Sequence, residues 1–398
     1  MKHLLTIFMA LCLLTACHKH HDEPEPVDRA VLVYMAADND LTDYLSGDLW
    51  EMMRGSQQLI SSQKLILFID NKNEYPYFLE VANGDTTRLS YRYKEDTKSS
   101  DYETLSYALQ MLHSRYPQAE SYGLVLWGHA TGWVVEDENT SSAARSTRRK
   151  AYGYDNGEWM EIKQMAKALE SAPYLDFIFA DCCAFQCVET AYELRHYTDY
   201  IIASAAEIPA EGGPYTTLIP ALFSKADNFY EQVVDAYFEH EYYDKLHEPL
   251  SVVKTSELEA LTTATYEALA TCFTTTGMLE SYPNVKDLIY YYNRNLFDMQ
   301  DVMMRFVTDS TAYADWKRAF DRAVIYKKVV NRWRARYVQF YDFNISAEDA
   351  EKRMGGMSMF VPRDPESDRI YANFFARLNR TINQMEWYKD ARLSDFGW

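Results

Sequence analysis

Apolar residues along the chain fall into short continuous runs, separated by longer stretches with three- and four-residue spacing. Five runs are apolar at nearly every position: 30–37 (AVLVYMAA), 64–70 (KLILFID), 122–129 (YGLVLWGH), 176–181 (DFIFAD) and 200–206 (YIIASAA). A strand that is apolar on both faces must be covered on both, so these runs predict buried strands of a parallel sheet. Between them, 40–53 (DLTDYLSGDLWEMM), 102–116 (YETLSYALQMLHSRY) and 158–172 (EWMEIKQMAKALESA) have helical periodicity. In the last, Trp159, Ile162, Met165, Ala166 and Leu169 share one helical face. Strands alternating with helices predict an α/β fold with a mostly parallel sheet flanked by helices.

Beyond about residue 225 the pattern lengthens. Helical periodicity covers 228–246, 256–273, 285–306 and 314–337, while 251–255 (SVVKT) and 357–362 (MSMFVP) read as strands. The expected organisation is therefore an α/β domain over 29–225. A helix-rich C-terminal region over 226–398 packs on it and is placed to return strands to its sheet.

The N-terminus is a separate matter. Lys2 precedes an apolar run from Leu4 to Leu14, too short to span a bilayer and ending in Leu14-Thr15-Ala16-Cys17. This is the layout of an export signal over 1–16. Its ending resembles a bacterial lipobox, which implies lipidation of Cys17 and an envelope lipoprotein held at the outer membrane or cell surface. Residues 17–28, with His18, His20, His21, Pro24 and Pro26, form a polar tether. A formal net charge of −19 excludes nucleic acid as a default partner, because phosphate binding needs a basic face.

Of six cysteines, removal of Cys12 with the signal and lipidation of Cys17 leave Cys182, Cys183, Cys187 and Cys272. Adjacent cysteines do not readily bridge each other, and no paired C-x2-C spacing or H-x3-H partner marks a zinc site. Packing or catalysis remains. In α/β sheets functional groups collect at the carboxyl ends of strands. The run 122–129 delivers Gly128 and His129 to such an end, and 176–181 delivers Asp181, Cys182 and Cys183 before the helical stretch 186–197. A thiol between strand and helix is placed to feel a helix N-terminus, and a histidine on a neighbouring strand end is placed to act as its base. Taken singly, such a histidine is usually structural and such a cysteine a small hydrophobe.

The loop 136–155 (EDENTSSAARSTRRKAYGYD) carries Arg145, Arg148, Arg149 and Lys150 inside an acidic chain, between the two candidate segments. It reads either as a solvated surface loop or as an accessible processing segment.

Together these segments resemble the clostripain family of cysteine peptidases. "WGHATGW" (127–133) is similar to the family's W-x-H-G-x-G-W stretch, with Ala130 in the glycine slot next to the histidine. "DCCAFQCVETAYEL" (181–194) resembles its D-A-C-x-M-x-x-x-E-x-x-Y-E-L stretch, with Cys182 in the alanine slot and Phe185 in the methionine slot. "VLVYMAADNDL" (31–41) and "ASAAEIPAEGGPY" (203–215) are similar to its first strand and to its cleft-bordering segment. The likeness covers residues 29–220 well, and the remainder through "GMSMFVP" and the Trp-bearing tail.

The resemblance implies a caspase-like fold and a cysteine endopeptidase cutting after Arg or Lys. It implies Cys183 as nucleophile, His129 as its partner, and Asp181 in the first specificity pocket, with Glu207 and Glu211 at the pocket wall. The backbone N–H groups of Gly128 and Cys183 are the expected oxyanion donors. Self-cleavage is expected after Arg145, Arg148, Arg149 or Lys150. The chemistry requires no cofactor. Some relatives use calcium, and the acidic loops are compatible with it, although the chain has no D-x-D-x-D-G array. If the glycine next to the histidine needs positive φ, Ala130 is strained there. The alternative reading is then an inactive peptidase-like lipoprotein that binds peptides or surface ligands.

Overall fold

The computed structural model describes residues 25–90, 97–133, 151–239, 247–273, 288–291, 296–334, 340–342, 345–362 and 372–398. β1 (Val27–Ala37) is buried along almost its whole length and lies next to the central strand of the sheet. A 3-10 turn (Asp40–Asp43) leads to α1 (Leu45–Ser56), then β2 (Gln63–Asn71), β3 (Glu74–Ala82), β4 (Asp85–Arg88), α2 (Tyr102–Arg115) and β5 (Ala119–Gly128). A short hairpin, β6 (Tyr152–Asp155) and β7 (Glu158–Met160), precedes α3 (Ile162–Leu169) and β8 (Leu175–Asp181). After α4 (Val188–Leu194) come β9 (Thr198–Ala203), α5 (Tyr215–Leu222), α6 (Phe229–Phe238), β10 (Leu250–Lys254) and α7 (Leu258–Ala270). The remainder holds β11 (Leu296–Asp298), α8 (Met299–Phe306), α9 (Ser310–Ala323), β12 (Val324–Lys328), β13 (Arg332–Arg334), β14 (Phe340–Asp342) and α10 (Ala347–Arg353). The last elements are β15 (Ser358–Phe360), α11 (Ala372–Thr381) and α12 (Glu386–Asp390).

The main sheet runs in the order β12-β10-β9-β8-β5-β1-β2-β3-β4. Its centre, β9-β8-β5-β1-β2, is parallel throughout, with antiparallel pairs added at both edges. Successive side chains of β1 point to opposite faces, as a strand requires. Ala30, Leu32, Tyr34 and Ala36 face the layer holding Leu105, Leu109, Met165 and Val188, together with C-terminal residues such as Leu261 and Trp316. Val31, Val33, Met35 and Ala37 face Met52, Leu218, Ile219 and Val233. Two helical layers therefore enclose one sheet, which is why the five runs are apolar on consecutive positions. The chain beyond residue 225 returns to this sheet through β10 and β12.

Three predicted helices come out shorter. Residues 314–337 divide at Ala323. There α9 stops, and Val324-Ile325-Tyr326, branched and aromatic, pair with β10 at the sheet edge. Within 285–306 the described residues hold β11 and α8 instead of one helix, because Asp298 accepts from the Asp301 N–H and caps α8. Trp159 lies in β7 and off the face of α3, which starts at Ile162 after the Glu161 N–H donates to the Gln164 side chain. The edge hairpin β3–β4 has no counterpart among the five apolar runs, since Glu74, Pro76 and Glu80 interrupt its apolar positions.

Candidate active site

The chain runs from β1 to β2 on one side and later crosses to β5 on the other side of β1. Between β1 and β5 the strand order reverses, and loops leaving their carboxyl ends diverge and open a crevice. The register pairs Ala36 with Gly128 and Trp127 with Asp181, so three chain segments emerge side by side. These are the Asp38–Asp40 loop, the His129 loop and the Asp181–Cys183 turn.

His129 is fixed at both its backbone and its ring. Its carbonyl accepts from the Gly153 N–H at 2.8 Å, and its Nε2 lies 2.8 Å from Asp40 Oδ1. The ring also meets Trp159, with centroids 6.3 Å apart. Because Nε2 is engaged by Asp40, Nδ1 is the nitrogen left for proton exchange with a thiol or a leaving amine. Gly128 has φ of +149°, and a Cβ there would sit 3.2 Å from the Ala36 carbonyl oxygen, so glycine is needed. Ala130 is different. It keeps negative φ, is 3% exposed and pairs with Tyr152 in an antiparallel bridge. The strain anticipated for an alanine at this position is absent.

The neighbouring turn separates the adjacent cysteines. Cys182 is buried among core residues, whereas Cys183 is half-buried. Directly after it, Ala184 adopts φ of +53°, an uncommon conformation for a residue with a Cβ. The turn is held by the Ala184 N–H donating to the Ala206 carbonyl at 2.8 Å and the Gln186 N–H to the Ser204 carbonyl at 2.9 Å. The Cys183 thiol donates to the Ile208 carbonyl, Sγ to O 3.7 Å. Desolvation, together with the charges of Glu207, Glu248 and Asp181, pushes this thiol up to about 12. Assistance from a helix N-terminus, expected from the sequence, does not reach it. α4 starts only at Val188 and is capped by Cys187, whose thiol donates to Thr190 Oγ1 at 3.1 Å.

Asp181 closes β8 and is 4% exposed. It does not cap α4. Its Oδ2 accepts from the Gly213 N–H at 2.8 Å and the Tyr215 hydroxyl at 2.7 Å, and burial pushes its carboxyl up to about 6. Glu207 contributes charge beside Cys183, and Glu211 contributes charge beside Asp48.

Asp40, Asp48 and Glu248 are not singled out by the sequence. Asp48 has a legible signal: with Met52 and Gly55 it lies on the buried face of α1, an unusual position for a carboxylate. The signal, the tether up to Pro24 and Cys17 lie outside the described residues, as do Arg145, Arg148, Arg149 and Lys150. Of the 136–155 loop, only residues 151–155 are described, and 152–155 form β6. Among the described residues no group of three or more His, Cys, Asp or Glu side chains is arranged to hold a metal ion, and no helix is long and apolar enough to cross a membrane.

The clostripain family model matches residues 33–396. A secreted C11 cysteine protease from Bacteroides thetaiotaomicron, solved with an irreversible peptide inhibitor, aligns with a TM-score of 0.73 at 26% identity, covering 92% of this chain and 98% of that one. An inactive zymogen C11 protease from Parabacteroides distasonis aligns with a TM-score of 0.74 at 28% identity, covering 92% and 99%. A B. fragilis cysteine protease aligns with a TM-score of 0.53 at 28% identity, over 62% of this chain and 99% of that one. No curated protein gives a significant match. The caspase-like architecture expected from the sequence is the fold of these structures.

Proposed function

We propose that this chain, which belongs to the clostripain family and is a cysteine peptidase, cuts polypeptides after arginine and lysine through Cys183 and His129. One observation carries the reading. The histidine loop and the cysteine turn leave adjacent parallel strands at the same level, with Trp127 opposite Asp181. Cys183 Sγ attacks the scissile carbonyl carbon, and its proton passes to His129 Nδ1. The backbone N–H groups of Gly128 and Cys183 receive the oxyanion. On collapse the C–N bond breaks, and His129 returns its proton to the leaving amine. Water then hydrolyses the thioester with His129 as base. No metal or organic cofactor enters these steps.

Asp181 supplies the negative charge for the substrate's basic side chain, with Glu207 and Glu211 contributing at the wall. A carboxylate in a desolvated site pairs well with a guanidinium. Burial and the acidic neighbours Glu207, Glu248 and Asp181 raise the thiol, so its attack relies on His129 to take up the proton. An inactive zymogen is among the similar structures, and the basic loop offers Arg145, Arg148, Arg149 and Lys150 as self-cleavage points. Export and a lipid at Cys17 hold the enzyme in the envelope, in keeping with the secreted state of the Bacteroides thetaiotaomicron protein.

The test is incubation of the full chain with a mixed peptide library, reading cut sites by mass spectrometry. Cuts after Arg and Lys are expected, as is a wild-type chain broken within 145–150 beside a Cys183→Ala chain that stays whole. Cuts without a basic preference would overturn the specificity, and an intact, fully active chain would overturn self-cleavage. Cys17→Ser should free the protein from membranes, and continued attachment would refute the anchor.

A further inference from the structure

Asp48 and Asp181 come from α1 and β8, far apart in sequence, yet meet at one point. Gly212 has φ of +66°, and a Cβ built on it would lie 2.8 Å from Asp48 Oδ2 and 3.0 Å from Asp181 Oδ2. Each acid is 4% exposed. Each is also oriented by a donor on its Oδ2: Trp127 Nε1 for Asp48 at 2.5 Å, and Tyr215 with the Gly213 N–H for Asp181. Asp181 Oδ1 is buried with no hydrogen-bond partner. Among the described residues, no Lys, Arg or His forms an ion pair with either acid.

Two buried carboxylates beside each other repel, and the energy of that arrangement falls sharply when a cation joins them. A structural anchor for the 212–215 loop needs only one of them, and Asp181 already holds Gly213 and Tyr215. The second carboxylate and the unused Oδ1 are accounted for if a cation enters from outside the chain. Resting on the basic specificity proposed above, we propose that Asp48 is a second specificity-determining carboxylate, and that it and Asp181 together receive the guanidinium or ammonium group of the substrate. Gly212 is the residue that lets them do so. Any side chain there would press on both oxygens.

Before substrate arrives, a proton takes the cation's place. Burial, then the charge of Asp181, pushes Asp48 up to about 8, while burial pushes Asp181 up to about 6. The groups facing the pair are Glu51 on α1, Glu211 on the adjoining loop, Trp127 on β5, Tyr215 on α5, Tyr152 on β6, and Cys182 and Cys183 after β8. None of these supplies a positive charge. Entry of a guanidinium near neutral pH therefore displaces a proton into solvent.

The experiment uses the full chain and n-butylguanidinium as probe. Titration calorimetry at pH 7 in phosphate and in Tris reads proton release from the difference between the two heats. Wild type should release on the order of one proton per probe bound, and Asp48→Asn markedly less. An asparagine carbonyl still accepts from Trp127 and does not ionise, so the variant should melt no lower than wild type. On peptides differing only at the residue before the cut, Asp48→Asn should lower the ratio of Arg to norleucine cleavage by roughly tenfold to a hundredfold. Binding without proton release in wild type would overturn the proposal, and this measurement needs no variant. An unchanged Arg to norleucine ratio in a folded Asp48→Asn protein would also overturn it, leaving Asp181 to act alone. A wild type with no basic preference would instead remove the underlying specificity reading.

Discussion

Replacing Asp181 by asparagine removes one charge and leaves the local hydrogen bonds possible. The carboxylate accepts from the Gly213 N–H at 2.8 Å and the Tyr215 hydroxyl at 2.7 Å, and an amide carbonyl can accept both. The loop bearing Gly212 should stay anchored while the substrate cation loses a partner. Cutting one side of a desolvated charge pair costs about 2–5 kcal/mol. Here the lower half of that range is expected, because Asp48 stands across Gly212 and keeps part of the attraction. About 2–3 kcal/mol corresponds to a loss of roughly 30- to 160-fold in kcat/KM for Arg and Lys substrates. The assay compares fluorogenic peptides differing only in the residue before the cut, with thermal melting in parallel.

Stability gives a second reading of the same variant. Asp181 is raised by burial, so the stability tied to its protonated form is present below the ordinary carboxylate range and lost as pH rises through about 6. The amide of Asp181→Asn does not titrate and has no such loss. The variant should therefore gain on wild type in melting temperature as pH rises from about 4 to about 6, with the difference constant above that. An Arg and Lys preference that survives in Asp181→Asn, accompanied by a lower melting temperature at every pH, would refute the reasoning. Asp181 would then be an anchor for the Gly213–Tyr215 loop only.

Cys183→Ala should abolish peptide cleavage, whereas Cys182→Ala, which trims a buried core side chain, should keep most activity and cost about 1 kcal/mol in denaturant unfolding. Equal loss from both, with the fold retained, would mean that the register of the turn is wrong. Asp70 and Asp155 both accept from the Ser99 N–H, at 2.9 and 2.7 Å; burial raises both carboxyls, Asp70 further by the charge of Asp155 and Asp155 by that of Asp38. Their contribution to stability is lost as pH rises above the ordinary carboxylate range, so Asp70→Asn should flatten the fall in melting temperature from pH 5 to pH 8, and an unaltered slope would count against the pair. Ala130→Gly should cost about 0.5–1 kcal/mol through added backbone freedom in the Tyr152 bridge, with kcat/KM within about twofold; a large gain in activity would show that the alanine disables the site.

What the sequence makes legible follows from how local its signals are. A strand buried on both faces writes a continuous apolar run, so β1, β2, β5, β8 and β9 can be read directly, as can the carboxyl-end positions of His129, Asp181 and Cys183. β12 hides in a helical pattern because Val324-Ile325-Tyr326 follows α9 without a break. Only the open edge of β10, set by residues distant in sequence, makes a strand the better partner. Ala130 shows the opposite error, where a motif suggests strain that the backbone does not carry. Its φ is set by pairing with Tyr152 across the basic loop, a contact absent from the motif itself. Asp40 and Asp48 escape notice for a related reason. Asp40 sits in a polar stretch where an acid is ordinary, and Asp48 has an unusual place on the apolar face of α1, but each shows its partners only through what folding brings to it. For Asp40 that is the Nε2 of His129, and for Asp48 the indole of Trp127 and the turn at Gly212. The strand ends thus carry the candidate dyad, legible because the sheet announces it. The carboxylates that orient the histidine and pair across Gly212 with Asp181 are supplied by the segment after β1, where the crevice geometry of the reversed strand order, and no sequence motif, determines their role.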